Sequence, residues 1–407
     1  MQARWWRRFK RAVEFFIFGL FDRVALVGRK NQPDQRRIAL VHVQLLGDAF
    51  LWLPYAQAMV STLVLRGQVP VIVCEAAVRP VLATGLSGCE IVAINKRDFL
   101  RCAPCRWRIL RGLRDLQASH TYLCSHPRDG ITQDAIVRAL GAPATGFWDT
   151  YADRPAIDRW MGNRLYHNLI KVEAGGIQTH HRALLKATGF GEVAVMPVAF
   201  PNQPTSPCPD PYWVLSPGAS REFRRWPEDR YAEVAACVAE RFPQLRCVIL
   251  GSAAECALGE RIASILGERV LNLVGKTSVT ELIRWITHAK LVVGNDSAAG
   301  HIAAGVGIPS VIVVGGGHWG RCYPYPKEAP VRCLPTVVGR SMECFGCDWQ
   351  CIHTARTDRP FPCIEQVPAE DVIRAVDTML SAASVPGATS DAPPLQQGLQ
   401  GHQATAP

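Results

Sequence analysis

The first 37 residues lack an unbroken apolar run long enough to cross a bilayer, which takes roughly 20 residues. Glu14, Asp22 and Arg23 interrupt the apolar stretch well short of that. No small-residue cleavage site follows it, so the sequence reads as cytoplasmic rather than secreted. An Asp-x-Asp pair is absent from all 407 residues, and with it the two-carboxylate clamp that holds a divalent metal on a diphosphate. Acidic residues are in the minority, 35 against 45 Lys and Arg, yet the excess is concentrated rather than spread. Ten basic residues fall within positions 1–37 against Glu14, Asp22 and Asp34, leaving the rest nearly neutral. Nucleic-acid binding needs basic charge on a folded surface, so nucleic acid is not an expected partner.

The basic front segment also carries Trp5, Trp6, Phe9, Val13, Phe16, Ile17, Leu20 and Val24, and positions 9, 13, 16, 20 and 24 follow one helical face. Interleaved aromatic and basic residues predict an interfacial helix over residues 1–36, drawn to an anionic membrane surface and held there by its apolar face. The alternative is a helix docked on the protein's own core. The expected location is therefore cytoplasmic, peripheral on an inner membrane. Fifteen cysteines would suggest disulfides in a secreted chain, but a chain of this size in a reducing compartment is expected to keep its thiols reduced.

Beyond Arg37, short apolar runs alternate with amphipathic stretches. Segments 38–43, 71–74, 91–94 and 122–124 read as buried parallel strands, with helices at 48–65, 77–85, 106–117 and 131–140. Pro201, Pro204, Pro207, Pro209 and Pro211 mark a linker over 201–211. The pattern then repeats, with strands at 212–215, 247–250, 270–274, 291–294 and 310–314 and helices at 228–242, 254–267, 278–288, 298–306 and 368–383. The expected architecture is α/β: two Rossmann-like, doubly wound domains facing a cleft, one over 37–200 and one over 212–383. From Ser384 the chain is rich in Pro, Gly, Gln and Ala, and residues 384–407 are expected to be a disordered tail.

Three constellations carry chemistry. Val43-Gln44-Leu45-Leu46-Gly47-Asp48 joins the first strand to the first helix, and a carboxylate there either points into the cleft or caps the helix. Ser216-Pro217-Gly218-Ala219-Ser220, followed by Arg224-Arg225-Trp226-Pro227, offers turn amides and guanidinium groups to a diphosphate, unless it is a loop with solvated arginines. Gly294-Asn295-Asp296-Ser297-Ala298-Ala299-Gly300-His301 opens a small-residue helix whose N-terminal N–H groups suit phosphate, although a lone histidine is more often a core residue.

In order and spacing these segments resemble glycosyltransferase family 9, the heptosyltransferases of lipopolysaccharide core assembly, over about Ile38 to Val376. The most specific part is Gly275-Lys276-Thr277-Ser278 with Glu281, then Val292 through His301. The resemblance implies a GT-B arrangement and an inverting sugar transferase. Its donor would be a nucleotide-diphosphate sugar such as ADP-heptose, and its acceptor a lipopolysaccharide core or other lipid-linked glycan. It implies Asp48 as general base, Ser220 with Arg224 or Arg225 on the diphosphate, and Glu255 on the ribose. Lys276 and Thr277 would flank the base, and Asp296, Ser297 and His301 would line the sugar-diphosphate pocket. Two departures stand out: Ala298 occupies a position where the family usually has glycine, and arginine precedes Trp226-Pro227 where the family often has lysine.

The chemistry itself asks for a carboxylate to take a hydroxyl proton and for cationic donors to hold the departing diphosphate. Without Asp-x-Asp, arginine and helix-terminus donors would serve, so no catalytic cofactor is expected. Cys344, Cys347, Cys351 and Cys363 form C-x2-C-x3-C-x11-C, able to hold a structural zinc or an iron–sulfur cluster or to remain thiols. Cys102 and Cys105 form one more C-x2-C. Competing functions are a nucleotide-sugar epimerase and a non-catalytic nucleotide-sugar-binding protein at the membrane.

Overall fold

Consecutive buried apolar residues build the centre of each sheet. In β1 (Asp34–His42) Ile38 to Val41 are all buried, and in β7 (Tyr212–Ser216) every residue is, as expected of strands covered on both faces. The computed structural model describes residues 2–28, 32–148, 156–172, 175–191, 193–198, 200, 205–267 and 270–383. The chain divides into two compact units at Met196 and Pro197. The expected tail at 384–407 and the first linker residues, 201–204, lie outside the described residues.

The first unit holds β1, β2 (Val69–Glu75), β3 (Glu90–Ile94), β4 (Ala118–Leu123), β5 (Ala144–Phe147) and β6 (Asn168–Ile170), all parallel, in spatial order 3-2-1-4-5-6. Leu40 of β1 sits opposite Ile72 on one side and Tyr122 on the other. The second unit holds β7, β8 (Arg246–Ile249), β9 (Val270–Asn272), β10 (Val292–Asn295), β11 (Ser310–Val313) and β12 (Thr336–Val338), again parallel, ordered β12-β11-β10-β7-β8-β9. Read from its own first strand, this is the same order as in the first unit, that of a dinucleotide-binding fold. Sequence patterning found the inner strands and missed β5, β6 and β12, each of which is four residues or fewer.

The N-terminal helix spans Gln2–Ala25 and has two apolar faces. Val13, Phe16, Ile17, Leu20 and Val24 are exposed, whereas Phe15, Asp22 and Ala25 are buried against the first unit. The anchor is Asp22, which breaks the apolar run. Its carboxylate takes two hydrogen bonds from Arg106, at 2.6 and 2.7 Å, and both side chains are almost fully buried. Arg106 also donates to the Ile131 carbonyl at 2.9 Å and lies over the rings of Phe99 and Phe18. Among the described residues no helix is long and apolar enough to cross a membrane.

The expectation that all thiols stay reduced is corrected at one place. Cys102 and Cys105 are bridged, while the other thirteen cysteines are unbridged. The N-cap position of the helix Ala103–Arg114 falls on Cys102, so its first turn carries Cys105 back within bonding reach.

Candidate functional site

In the second unit the chemistry gathers at the carboxyl end of β10. Gly294 lets this strand approach β7, because a Cβ there would collide with the Ser216 carbonyl. Asn295, fully buried, ties the following turn to its neighbour. Its amide donates to the Pro217 carbonyl at 2.6 Å, and its side-chain oxygen accepts from the Trp226 N–H at 3.0 Å. That clamp fixes the Ser216–Ser220 turn and the arginines beside it against the start of the helix Ala298–Val306.

Asp296 is next in the chain and stands among three cationic or polar partners. Its Oδ2 accepts a short hydrogen bond from His318 Nδ1, Arg224 Nη2 lies 3.5 Å away, and His301 Nε2 is 3.9 Å from Oδ1. Burial opposes ionisation of Asp296, but the His318 hydrogen bond and the charges of His318, His301 and Arg224 outweigh it and hold the carboxyl at about 2. Arg224 also donates to Ser220 Oγ at 2.9 Å and to His318 Nε2 at 2.8 Å.

His301 is buried, stacked on Tyr323, and paired through Nδ1 with the Tyr325 hydroxyl at 2.5 Å. Burial dominates its titration and pushes it down to about 4, with Asp296 acting in the opposite direction. Ser297 is the N-cap of the helix Ala298–Val306 yet makes no side-chain cap bond, and its buried Oγ has no partner among the described residues. A hydroxyl at a helix N-terminus is able to donate a hydrogen bond to an anion.

The other expected residues make local contacts. Glu255 accepts from Ser252 N and Ser252 Oγ, at 2.7 and 2.9 Å, closing a capping box on the turn Ala253–Glu255. Its carboxylate lies against Gly218, where any Cβ would overlap it. Lys276 is exposed and donates to the Asn272 carbonyl at 3.1 Å; neither it nor Thr277 joins the Asp296 cluster. Arg225 follows Arg224 but leaves its buried Nε unpaired among the described residues.

Two residues that patterning missed complete the cluster. His318 comes from the turn Gly316–His318 after β11, and Trp349 covers both Arg224, at 4.8 Å, and the His318 ring, at 5.2 Å. Trp349 and Asp348 both have left-handed backbone, φ 62 and 47, strain of the kind that collects at functional sites. A run of glycines before His318 was the available signal. Trp349 sits inside the cysteine loop, which hid it behind the cysteine reading.

The four cysteines of that loop are unbridged, and Cys363 is part of the core. Burial first, then the nearness of the other three thiols, raises the Cys363 thiol to about 11. Four thiols in one neighbourhood fit a soft metal in kind. Among the described residues, however, the group whose ligand atoms lie within 4.8 Å of one another is Asp296, His318 and Cys322, not the cysteine set. Arg224 occupies the same neighbourhood as that trio and opposes a cation there.

In the first unit Asp48 is the third residue of the helix Leu46–Leu65, and it does not cap it: Leu45 is the N-cap, with no side-chain bond. Asp48 is instead an acidic residue of the helix's first turn, where its charge complements the helix N-terminus. Behind it, buried His42 stacks on Trp52 at 4.4 Å, and His181 lies 5.2 Å from Tyr55.

Comparison with known proteins bears on the second unit first. Residues 189–343 match the family described as glycosyltransferase family 9 (heptosyltransferase). The second unit carries the family 9 signature. The chain is 30% identical over 173 residues to lipopolysaccharide heptosyltransferase 3 of Escherichia coli strain K12, covering 42% of this chain and 47% of that protein. The match thus spans about half of that relative. The structure of E. coli ADP-heptose lps heptosyltransferase II superposes over 86% of this chain and all of that one, with TM-score 0.59 and 16% identity. The iron-containing dodecameric glycosyltransferase TibC from enterotoxigenic E. coli H10407 covers 87% of this chain and 78% of its own, with TM-score 0.53 and 16% identity. The heptosyltransferase-like fold is therefore shared along most of the chain, and the family 9 segment holds Ser220, Arg224, Glu255, Lys276, Asp296 and His318 together.

Proposed function

We propose that the chain is a family 9 sugar transferase that moves a sugar, heptose by its relatives, from a nucleotide-diphosphate donor to a lipopolysaccharide-type or other lipid-linked acceptor. The observation that carries this reading is the cluster of Arg224, Asp296 and His318 at the unpaired N-terminus of the helix Ala298–Val306. Ser297 Oγ and Arg224 take the diphosphate. Asp296 works as a positioning residue, holding His318 and Arg224 toward the anion rather than touching it. The likeness in fold to E. coli ADP-heptose lps heptosyltransferase II supports ADP as the nucleotide.

Transfer then needs a base for the acceptor hydroxyl, and Asp48, in the first helical turn that follows β1, is the carboxylate the family resemblance assigns to that work. One displacement at the anomeric carbon inverts its configuration. As the hydroxyl oxygen bonds to that carbon, Asp48 takes its proton and the diphosphate leaves with the bonding pair. Arg224 supplies at the diphosphate the charge that a metal would otherwise bring, which supports metal-independent transfer. The ligand atoms of Cys344, Cys347, Cys351 and Cys363 do not converge among the described residues, so no metal is assigned to them in this reading.

The exposed Phe16, Ile17 and Leu20 beside the basic front segment support docking on an anionic membrane face, where a lipid-borne acceptor is concentrated. The direct test is titration of ADP, UDP and GDP against the full chain in EDTA, with wild type and Asp296→Ala. The reading expects ADP to bind in EDTA and to weaken in Asp296→Ala. Failure of all three nucleotides to bind removes the donor-site assignment.

A further inference from the structure

Outside the site just described, one pair of side chains combines redox chemistry, exposure and an activating setting. Cys102-Ala103-Pro104-Cys105 opens the helix Ala103–Arg114, and its two cysteines are bridged with their Cα atoms 5.1 Å apart. Both residues are half-exposed. Cys102 is the N-cap, and its Sγ accepts the Cys105 N–H at 3.2 Å. A thiolate at that point is favoured by the amide and by the positive end of the helix. Arg97, Arg101 and Arg108 add positive charge within a few residues on either side, against Asp98 alone. The backbone beyond the pair is firm, because the next residue, Arg106, is locked to Asp22.

The buried unbridged thiols give a contrast. Burial raises Cys74 to about 12, and raises Cys124 and Cys247 further, so these sulfurs are poor nucleophiles. The bridged pair is reachable from solvent, and they are not.

We propose that Cys102 and Cys105 form a reversible thiol–disulfide exchange site, oxidised by small disulfides and reduced by small thiols. In oxidation the Cys102 thiolate attacks one sulfur of a disulfide RSSR. That S–S bond breaks, and one RS⁻ leaves with the electron pair. The Cys105 thiol then gives its proton to solvent and attacks the Cys102 sulfur, expelling the second RS⁻. Two electrons and two protons pass from the protein dithiol to RSSR, and reduction by two RSH runs the same steps backwards. The site does not depend on the proposed transferase reading, and neither cysteine belongs to that machinery.

The experiment equilibrates the full chain across a series of reduced-to-oxidised glutathione ratios, quenches in acid, alkylates and maps peptides by mass. Trypsin cuts after Arg101 and Arg106, so both cysteines travel in one peptide. The expected result is a peptide that passes from bridged to doubly alkylated along the series and returns on reoxidation, while the other thirteen cysteines stay alkylated throughout. In the single variants, Cys105→Ser collects glutathione on Cys102 at least tenfold faster than Cys102→Ser collects it on Cys105. A peptide that is doubly alkylated at every ratio overturns the proposal. So does a bridge that survives excess dithiothreitol in the folded protein, and so do equal rates in the two variants.

Discussion

The two units share one strand order and differ in what stands at the carboxyl ends of their central strands. After β10 the second unit presents a wired polar cluster in which Asp296, His318, Arg224 and Ser220 each have a partner. At the end of β1 the first unit buries His42 and His181, whose His42 Nδ1 and both His181 nitrogens have no hydrogen-bond partner among the described residues, against Trp52 and Tyr55. The same scaffold thus carries a charged, hydrogen-bonded cluster in one unit and buried aromatic and histidine side chains in the other. The family 9 match lies in 189–343, almost wholly the second unit. On the proposed reading, the difference separates a charged cluster suited to a diphosphate from an apolar end left for the acceptor.

The largest expected effect lies in the first unit. Asp22→Ala strands Arg106 as a buried charge, and breaking such a pair costs about 3–5 kcal/mol. Urea unfolding read by the first unit's signal should show it, with the second unit's transition unmoved. A loss below about 1 kcal/mol means that the N-terminal helix is not part of that unit's core.

Next comes Arg224→Ala, which removes charge-assisted hydrogen bonds worth about 1.5–3 kcal/mol, roughly tenfold to a hundredfold in ADP affinity by calorimetry. An unchanged affinity takes Arg224 out of the diphosphate site. Smaller still, Phe16→Ser and Leu20→Ser should each weaken cosedimentation with anionic vesicles by about 1–2 kcal/mol, since partial insertion recovers less than full burial. Stability should be untouched because both side chains are exposed. Vesicle binding that survives the pair of changes removes the membrane role from that face.

The smallest effect separates the units by pH. Burial pushes His42 down to about 3 from 6.5, and His181 well below 6.5. Folding therefore holds both neutral while the unfolded chain takes up protons below pH 6.5. Their contribution is complete above that pH and is lost as pH falls toward 3. Asp296, held near 2 from 3.8, contributes above 3.8 and fails only as pH falls toward 2. Melting of the first unit should drop by about 2–4 °C for each 1 kcal/mol lost, starting below pH 6.5. His42→Phe, which keeps the stack on Trp52, should flatten that slope, and an unaltered slope assigns it elsewhere.

Much of this was legible in the chain. The helix Ala298–Val306 falls on its expected bounds, and the inner strands follow from unbroken apolar runs. The edge strands β5, β6 and β12 did not stand out, because three or four residues give no period to read. Asp296 and Arg224 were found by motif, whereas His318 and Trp349 reach the site from loops far along the chain and only folding brings them there. Ser252-Ala253-Ala254-Glu255 also has the spacing of a capping box, a local signal that the sequence carries beside the expected ribose role of Glu255.

The most direct test of the division of labour between the units is a paired measurement of ADP affinity and sugar-transfer rate in Asp48→Ala and Arg224→Ala. The account predicts that Asp48→Ala binds ADP as wild type does while transfer falls about 10²–10⁴-fold, the range for losing a general base. Arg224→Ala should lose affinity for ADP itself. If Asp48→Ala weakens ADP binding as much as Arg224→Ala does, or leaves transfer intact, the assignment of base to the first unit and donor to the second is wrong.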